Sequence, residues 1–336
     1  MTERERDSAR GEIVRSLVKL GLWSENTAVN MVPLTGGVSS DIWRIDLPSR
    51  RVCVKRALSR LRVDAVWEAP VRRNDYEVAW MNIAARIVPG SVPVVIAHDS
   101  DAGLFVMEFL DFPLWKEQLR SGLVEPRFAE QVGTLLGMLH AGTAKSHAIA
   151  QQFANDEIFY AIRLEPYLVA TAKVHPDLAS QFAALVEVTR TTKLALVHGD
   201  VSPKNILAGT RGPVLLDAEC AWYGDPAFDL AFCLNHLLLK CIWAPEHSAT
   251  LLDSFTALAA AYLREVNWEP AAAIEARTAR LLPALFLARI DGKSPIEYIT
   301  AKCDKSKVRR VARALLLHPV NTLSQVSAAW RKELAP

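Results

Sequence analysis

The chain changes character at Asp111, and no other feature constrains its fold as much. Before Asp111, apolar and polar residues alternate in short runs broken by Pro, Gly and Asp. After it, apolar residues recur at helical spacing over long stretches. Residues 51–55 (RVCVK) put Val52 and Val54 on one strand face, and residues 31–48 read as two strands around a Gly36-Gly37 turn. Residues 11–22 and 74–86 carry helical spacing, and 92–97 and 104–110 read as two further strands. Beyond Asp111, residues 127–141 place Phe128, Val132, Leu135, Leu136 and Leu139 on one helical stripe. Residues 177–190, 228–240, 250–264, 270–288 and 306–316 follow suit, interrupted by strand-like islands at 194–197 and 214–216. A chain of 336 residues exceeds what one core usually holds. The expected architecture is α+β with two lobes: a small β-sheet lobe over 1–107, a hinge near 106–111, and a larger helical lobe over 108–336.

Charge and cysteine usage narrow the function. A net charge of +2 gives no reason to expect nucleic acid or a membrane surface as partner. No apolar stretch approaches the ~18 residues a membrane span needs, and MTERERDSARGE lacks the apolar core of a secretory signal. A cytoplasmic protein is expected. Its five cysteines form no CxxC pair and read as free thiols. Cys233, His236 and Cys241 sit in an apolar run, where cysteine packs as a small hydrophobe and no metal is expected. The basic segment from Lys302 to Arg313 reads as a solvated helix face or a docking surface for an acidic partner.

Chemistry concentrates in residues 194–209, LALVHGDVSPKNILAG. An apolar strand leads into His198-Gly199-Asp200, and Asn205 follows five residues after Asp200. The run PVLLDAE then delivers Asp217 from a second short strand. Phosphoryl transfer asks a protein for a carboxylate to take the acceptor-hydroxyl proton and for oxygen ligands to a hard divalent cation. Asp200 supplies the first, and Asn205 and Asp217 supply the second.

This HxDxxxxN loop with a strand-borne Asp resembles the aminoglycoside phosphotransferase and choline kinase superfamily, relatives of the protein kinases. The run Asp217-Ala218-Glu219 and the segment after Lys55 resemble methylthioribose kinase in particular. The resemblance implies a bilobal protein-kinase-like fold, ATP and Mg²⁺ as cofactors, Asp200 as catalytic base, and Asn205 and Asp217 as metal ligands. Glu219 is then either a further metal-site carboxylate or a solvated Glu. Gly36, Gly37, Ser39 and Ser40 resemble the nucleotide-binding loop, and Lys55 the phosphate-binding lysine. Glu77 is the expected carboxylate partner of Lys55, with Glu68 as runner-up. Backbone groups of Glu108 and Leu110 are expected at the adenine edge. His198 reads as a brace for its loop more than a proton shuttle, and Asp229, at the start of a helix, as a tie for the same loop.

No Ala-Pro-Glu activation segment follows Asp217, so the resemblance implies a small-molecule hydroxyl acceptor. Residues expected near the acceptor are Trp222, Tyr223, Asp225, Arg289 and Asp291. They include no acidic cluster of the kind a polycationic aminoglycoside would require, which favours a neutral or anionic hydroxyl compound. An inactive nucleotide-binding scaffold of the same fold, and a protein kinase, are the alternatives. The first would be expected to have lost the base, the metal ligands or the lysine, and none is missing.

Overall fold

Strand alternation builds the first unit. A computed structural model describes residues 3–24, 30–34, 40–58 and 70–335, and the chain divides into two units, Met1–Asp111 and Phe112–Pro336. The first unit holds an antiparallel five-stranded sheet: β1 (Asn30–Pro33), β2 (Ser40–Asp46), β3 (Arg51–Ala57), β4 (Val95–Asp99) and β5 (Leu104–Glu108), in the order β1-β2-β3-β5-β4. β4 starts three residues later than the apolar run at 92–97 suggests. Two prolines, Pro89 and Pro93, keep the chain irregular up to that point.

The helix Glu3–Lys19 sends Ile13 and Leu17 against Trp43, Ile45, Val52, Val54, Leu104 and Val106, all buried. This apolar cluster occupies one sheet face. The pleat turns Cys53 and Lys55 to the other, and both are buried as well.

The second unit is helical. Its longest elements are Pro126–Thr143, Ala179–Thr191, Ala227–Trp243, Ser248–Glu265, Ala271–Asp291, Lys302–Leu317 and Leu323–Leu334. Gly133 and Gly137 let the first of these approach Ser248–Glu265 closely: a Cβ on Gly133 would come within 2.2 Å of the Leu258 carbonyl oxygen. The helix Leu323–Leu334, absent from the sequence reading, is closed by a capping box between Thr322 and Gln325. It is anchored by Trp330, whose indole N–H donates to the Leu238 carbonyl at 2.9 Å. In the basic segment, Arg309 pairs with Asp291, Arg310 with Glu333, Arg313 with Asp177 and Lys307 with Asp304. Arg309 and Arg313 tie the helix Lys302–Leu317 to the rest of the unit, Arg310 joins it to the helix Leu323–Leu334, and the Lys307–Asp304 pair lies within it.

Two small antiparallel ladders interrupt the helices. β6 (Ala195–Val197) pairs with β9 (Trp222–Gly224), and β7 (Ile206–Gly209) with β8 (Gly212–Leu215). The four buried cysteines, Cys53, Cys220, Cys233 and Cys241, and the exposed Cys303 are free thiols. Among the described residues no helix is long and apolar enough to cross a membrane.

Candidate active site

The β7–β8 hairpin creates the central juxtaposition. Its register pairs Ile206 with Leu215, and the Leu216 N–H donates to the Asn205 carbonyl at 2.9 Å. Asn205 and Asp217, twelve positions apart in sequence, therefore stand at adjacent ends of one tight ladder. The Asn205 amide nitrogen donates to the Asp200 carbonyl at 3.0 Å, which links the hairpin to the loop from β6. Asp217 has φ +66°. Aspartate tolerates this left-handed region better than most residues, because its short polar side chain bonds locally.

The His198–Asp200 loop is held from below. Asp229, in the first turn of the helix Ala227–Trp243, accepts the backbone N–H groups of His198 and Gly199, both at 2.7 Å. The same carboxylate faces His140 Nε2 at 3.2 Å, and His140 Nδ1 meets the Tyr262 hydroxyl at 2.8 Å. Gly199 has φ +81°, and a Cβ there would lie 2.7 Å from the Cys220 carbonyl oxygen, so the turn requires glycine. His198 Nδ1 accepts the Asp200 N–H at 3.1 Å, which assigns the ring proton to Nε2, 3.0 Å from the Leu216 carbonyl. Burial pushes the His198 pKa down and keeps the ring neutral. Its geometry is that of a brace.

Asp200 is 5% exposed. Its Oδ2 lies 3.1 Å from Arg163 Nη2 and 3.3 Å from Lys204 Nζ. Asp200 in turn raises the Lys204 pKa against the effect of burial. Arg163 is a site residue that the sequence reading missed. It comes from a π-helix, Tyr160–Val169, and its Nε also donates to the Gly199 carbonyl. π-turns recur at functional sites. The available signal was a lone arginine in the apolar run IFYAIRLEPYL. A charge in such a setting is buried only with partners.

In the first unit, Lys55 on β3 and Glu77 on the helix Arg73–Ile87 form a buried ion pair, with Lys55 Nζ 2.8 and 2.7 Å from the two carboxylate oxygens. Ser40 opens β2 and is buried. Gly36, Gly37, Ser39 and the runner-up Glu68 lie outside the described residues. β5 ends at Glu108, and Leu110 follows in coil.

A family model described as the phosphotransferase enzyme family matches residues 30–274. The chain belongs to this family. Curated proteins similar to this chain include methylthioribose kinases. That of Pectobacterium atrosepticum is 27% identical over 222 residues, covering 58% of this chain and 56% of the relative. That of Bacillus cereus is 24% identical over 273 residues, covering 68% and 70%. The chain thus spans little more than half the length of the Pectobacterium relative. Among solved structures, amicoumacin kinase hAmiN superposes with a TM-score of 0.57 at 13% identity, covering 96% of this chain and 98% of that one. Choline kinase from Cryptosporidium parvum gives 0.57 at 14%, covering 94% and 99%. At such identity the likeness is one of fold, and the phosphotransferase-family chain has the protein-kinase-like fold of these enzymes.

Most residues expected near the acceptor are engaged elsewhere in this family member. Trp222 stacks on Phe159 at 4.2 Å and donates its indole N–H to Asp156. The Tyr223 hydroxyl donates to the Leu194 carbonyl. Asp225 is paired with Arg277 and caps the Ala227 N–H. Asp291 is paired with Arg309 and His175. Arg289 alone of the five lines a pocket at the Asp200 loop, together with Ser202, Lys204, His236, Lys240 and Tyr298.

Proposed function

We propose that this chain is a small-molecule kinase that moves the γ-phosphoryl group of ATP to a hydroxyl, with Asp200 as base. The observation that carries the reading is the β7–β8 hairpin, which sets Leu216, the neighbour of Asp217, against Asn205, while Asn205 is tied to the backbone of Asp200. Kinase relatives support it. The hAmiN structure is a complex with AMP-PNP and Ca²⁺, and that of spectinomycin phosphotransferase a complex with ADP.

The donor set fits a hard divalent cation such as Mg²⁺. The Asn205 amide nitrogen is engaged with the Asp200 carbonyl, which leaves its oxygen available, and Asp217 adds a carboxylate. Among the described residues no group of three or more His, Cys, Asp and Glu could hold a metal by protein ligands alone. Mg²⁺ is commonly bound by one or two carboxylates plus substrate phosphates, which matches this sparse set. Asn205 and Asp217 would hold the ion, with Glu219 as a further carboxylate, and it would neutralise charge on the phosphates.

The chain's own residues do the rest. The acceptor hydroxyl gives its proton to Asp200 as its oxygen bonds to the γ-phosphorus, and the bond from that phosphorus to the β–γ bridging oxygen breaks to release ADP. Arg163 and the Asp229-held loop fix the Asp200 carboxylate in one orientation. Lys204 adds positive charge where the transferred group gains negative charge. Lys55, oriented by Glu77, binds the nucleotide phosphates together with Gly36, Gly37, Ser39 and Ser40. The backbone of Glu108 and Leu110 meets the adenine edge. The protein acts in the cytoplasm on a small acceptor.

The test is ATP consumption by purified protein with Mg²⁺ over a panel of thio- and deoxy-sugars, amino alcohols, aminoglycosides and hydroxy acids. Asp200→Ala is expected to lower turnover by at least ~10²-fold. Undiminished phosphorylation by that variant removes Asp200 from the role. ATP binding that ignores Mg²⁺, with no consumption on any acceptor, turns the reading into that of a scaffold.

A further inference from the structure

The pocket beside Asp200 is lined by Lys116, Lys204, Lys240 and Arg289, and among the described residues Glu297 is its one carboxylate. Two of the four cations are already matched. Lys116 pairs with Glu297, and Lys204 with Asp200. The other two are not. Lys240 is 1% exposed, and among the described residues no carboxylate lies within ion-pairing distance of it. Its ammonium rests instead against the rings of Trp243, at 4.1 Å, and Tyr298, at 4.8 Å. Arg289, 9% exposed, spends Nη1 on the Ser294 carbonyl and hydroxyl and on the Tyr167 hydroxyl, while its Nε is buried with no hydrogen-bond partner among the described residues.

Two neutral donors share this condition. The Ser202 and Tyr298 hydroxyl oxygens are buried without a hydrogen-bond partner among the described residues, and both residues line the same pocket. Unpartnered buried polar groups are rare in native structures and call for an explanation. Here three of them, and two cations lacking an acid, gather around one cavity of about 30 Å³, room for a single small group.

We propose that this pocket receives an anionic group, a carboxylate or a phosphate, carried by the hydroxyl acceptor, so that the substrate class is small hydroxy acids or sugar phosphates. The proposal rests on the kinase reading only for the word acceptor; the anion site itself stands on the lining. A neutral sugar of the methylthioribose type would leave Lys240 and Arg289 uncompensated, and a polycation would be repelled. The field in the pocket is consistent with this. Burial first, and then Arg289, Lys240, Lys204 and Lys116, push the His236 pKa down, so His236 stays neutral.

The test is binding without nucleotide, which keeps it separate from turnover. Thermal shift and calorimetry are run on the full chain with four- to six-carbon aldonic acids, with sugar monophosphates and with alditols of the same lengths. Acids or monophosphates are expected to stabilise the protein and alditols not to. Lys240→Met is expected to weaken anion binding by ~30-fold or more. Tyr298→Phe removes only an unpartnered hydroxyl, so it spares folding, and it should weaken anion binding several-fold. Asp200→Ala should retain it even where turnover is lost. Equal stabilisation by alditols, no stabilisation by any of the three classes, or full anion affinity in both pocket variants overturns the proposal. In turnover, the same variants should raise KM for the acceptor and leave KM for ATP unchanged. A rise confined to ATP would assign the cations to the nucleotide and overturn the acceptor assignment.

Discussion

Asp229 holds Gly199 through a 2.7 Å hydrogen bond from the Gly199 N–H to Oδ1, while Oδ2 takes the neighbouring N–H of His198. Hydrogen bonds to a charged acceptor contribute about 1.5–3 kcal/mol each. Asp229→Ala is therefore expected to lower unfolding free energy by about 3 kcal/mol or more, and Asp229→Asn by less. Urea denaturation measures the first effect. Turnover should fall in both, because the loop that aims Asp200 is loosened. Wild-type stability in Asp229→Ala would show that the carboxylate is not what holds the loop.

Gly199 itself makes a sharper case. At φ +81° and with the Cys220 carbonyl 2.7 Å from a Cβ, Gly199→Ala meets both backbone strain and a backbone clash. A loss of about 2–4 kcal/mol is expected, read as a lower urea midpoint at unchanged slope. An unchanged midpoint would contradict the strained turn.

The Lys55–Glu77 pair predicts an asymmetry. Both side chains are nearly fully buried. Removing one member of such a pair costs about 3–5 kcal/mol, whereas replacing both by apolar residues of similar size is often close to neutral. Glu77→Gln should therefore destabilise the chain more than the double substitution Lys55→Met/Glu77→Leu, while both abolish nucleotide-dependent turnover. A double variant less stable than Glu77→Gln would reverse this account.

Lys240 sets a pH dependence. Burial, and then Lys116, push its pKa down to about 7 from 10.5, with Glu297 opposing. Below pH 7 both folded and unfolded chains carry the proton, so the cost of burying the charge is fully present. Between about pH 7 and 10.5 the unfolded chain binds more protons at this site than the folded one, so this group's contribution to stability improves as pH rises. Lys240→Met should accordingly be more stable than wild type at about pH 6.5, with the gap closing by about pH 10. A gap that is constant over that range would mean that Lys240 keeps its proton in the folded protein.

Much of this was legible in the sequence, for local reasons. Lys55 ends a clean alternation, Glu77 sits on a helix pinned by Trp80 and Ile83, and the loop with Asp200 is bounded by two apolar islands. Each of these signals fits within a dozen residues. Arg163 escaped because its meaning depends on Gly199 and Asp200, more than thirty positions away, and on a π-turn that no propensity encodes. The surroundings of the residues expected near the acceptor were not legible for a related reason. Trp222, Tyr223 and Asp225 are close to Asp217 in sequence, but β9 turns them into packing against Phe159, Leu194 and Arg277. The cations of the pocket come from three separate helices and one loop. Lys240 did carry a readable mark, a charge inside the apolar run 230–243.

The left-handed backbone at Asp217 has a genetic consequence. Every aspartate codon is one base change from an asparagine codon, and asparagine shares aspartate's tolerance for positive φ. Among the single-base changes, those to asparagine and glycine therefore remove the charge while sparing the backbone. Alanine or valine at the same place would incur conformational strain, and such chains would be depleted by cellular quality control. Copies of this gene that lose this charge and persist should thus carry asparagine or glycine on an otherwise intact scaffold, and Asp217→Asn is the near-isosteric change with which to separate chemistry from folding in the laboratory.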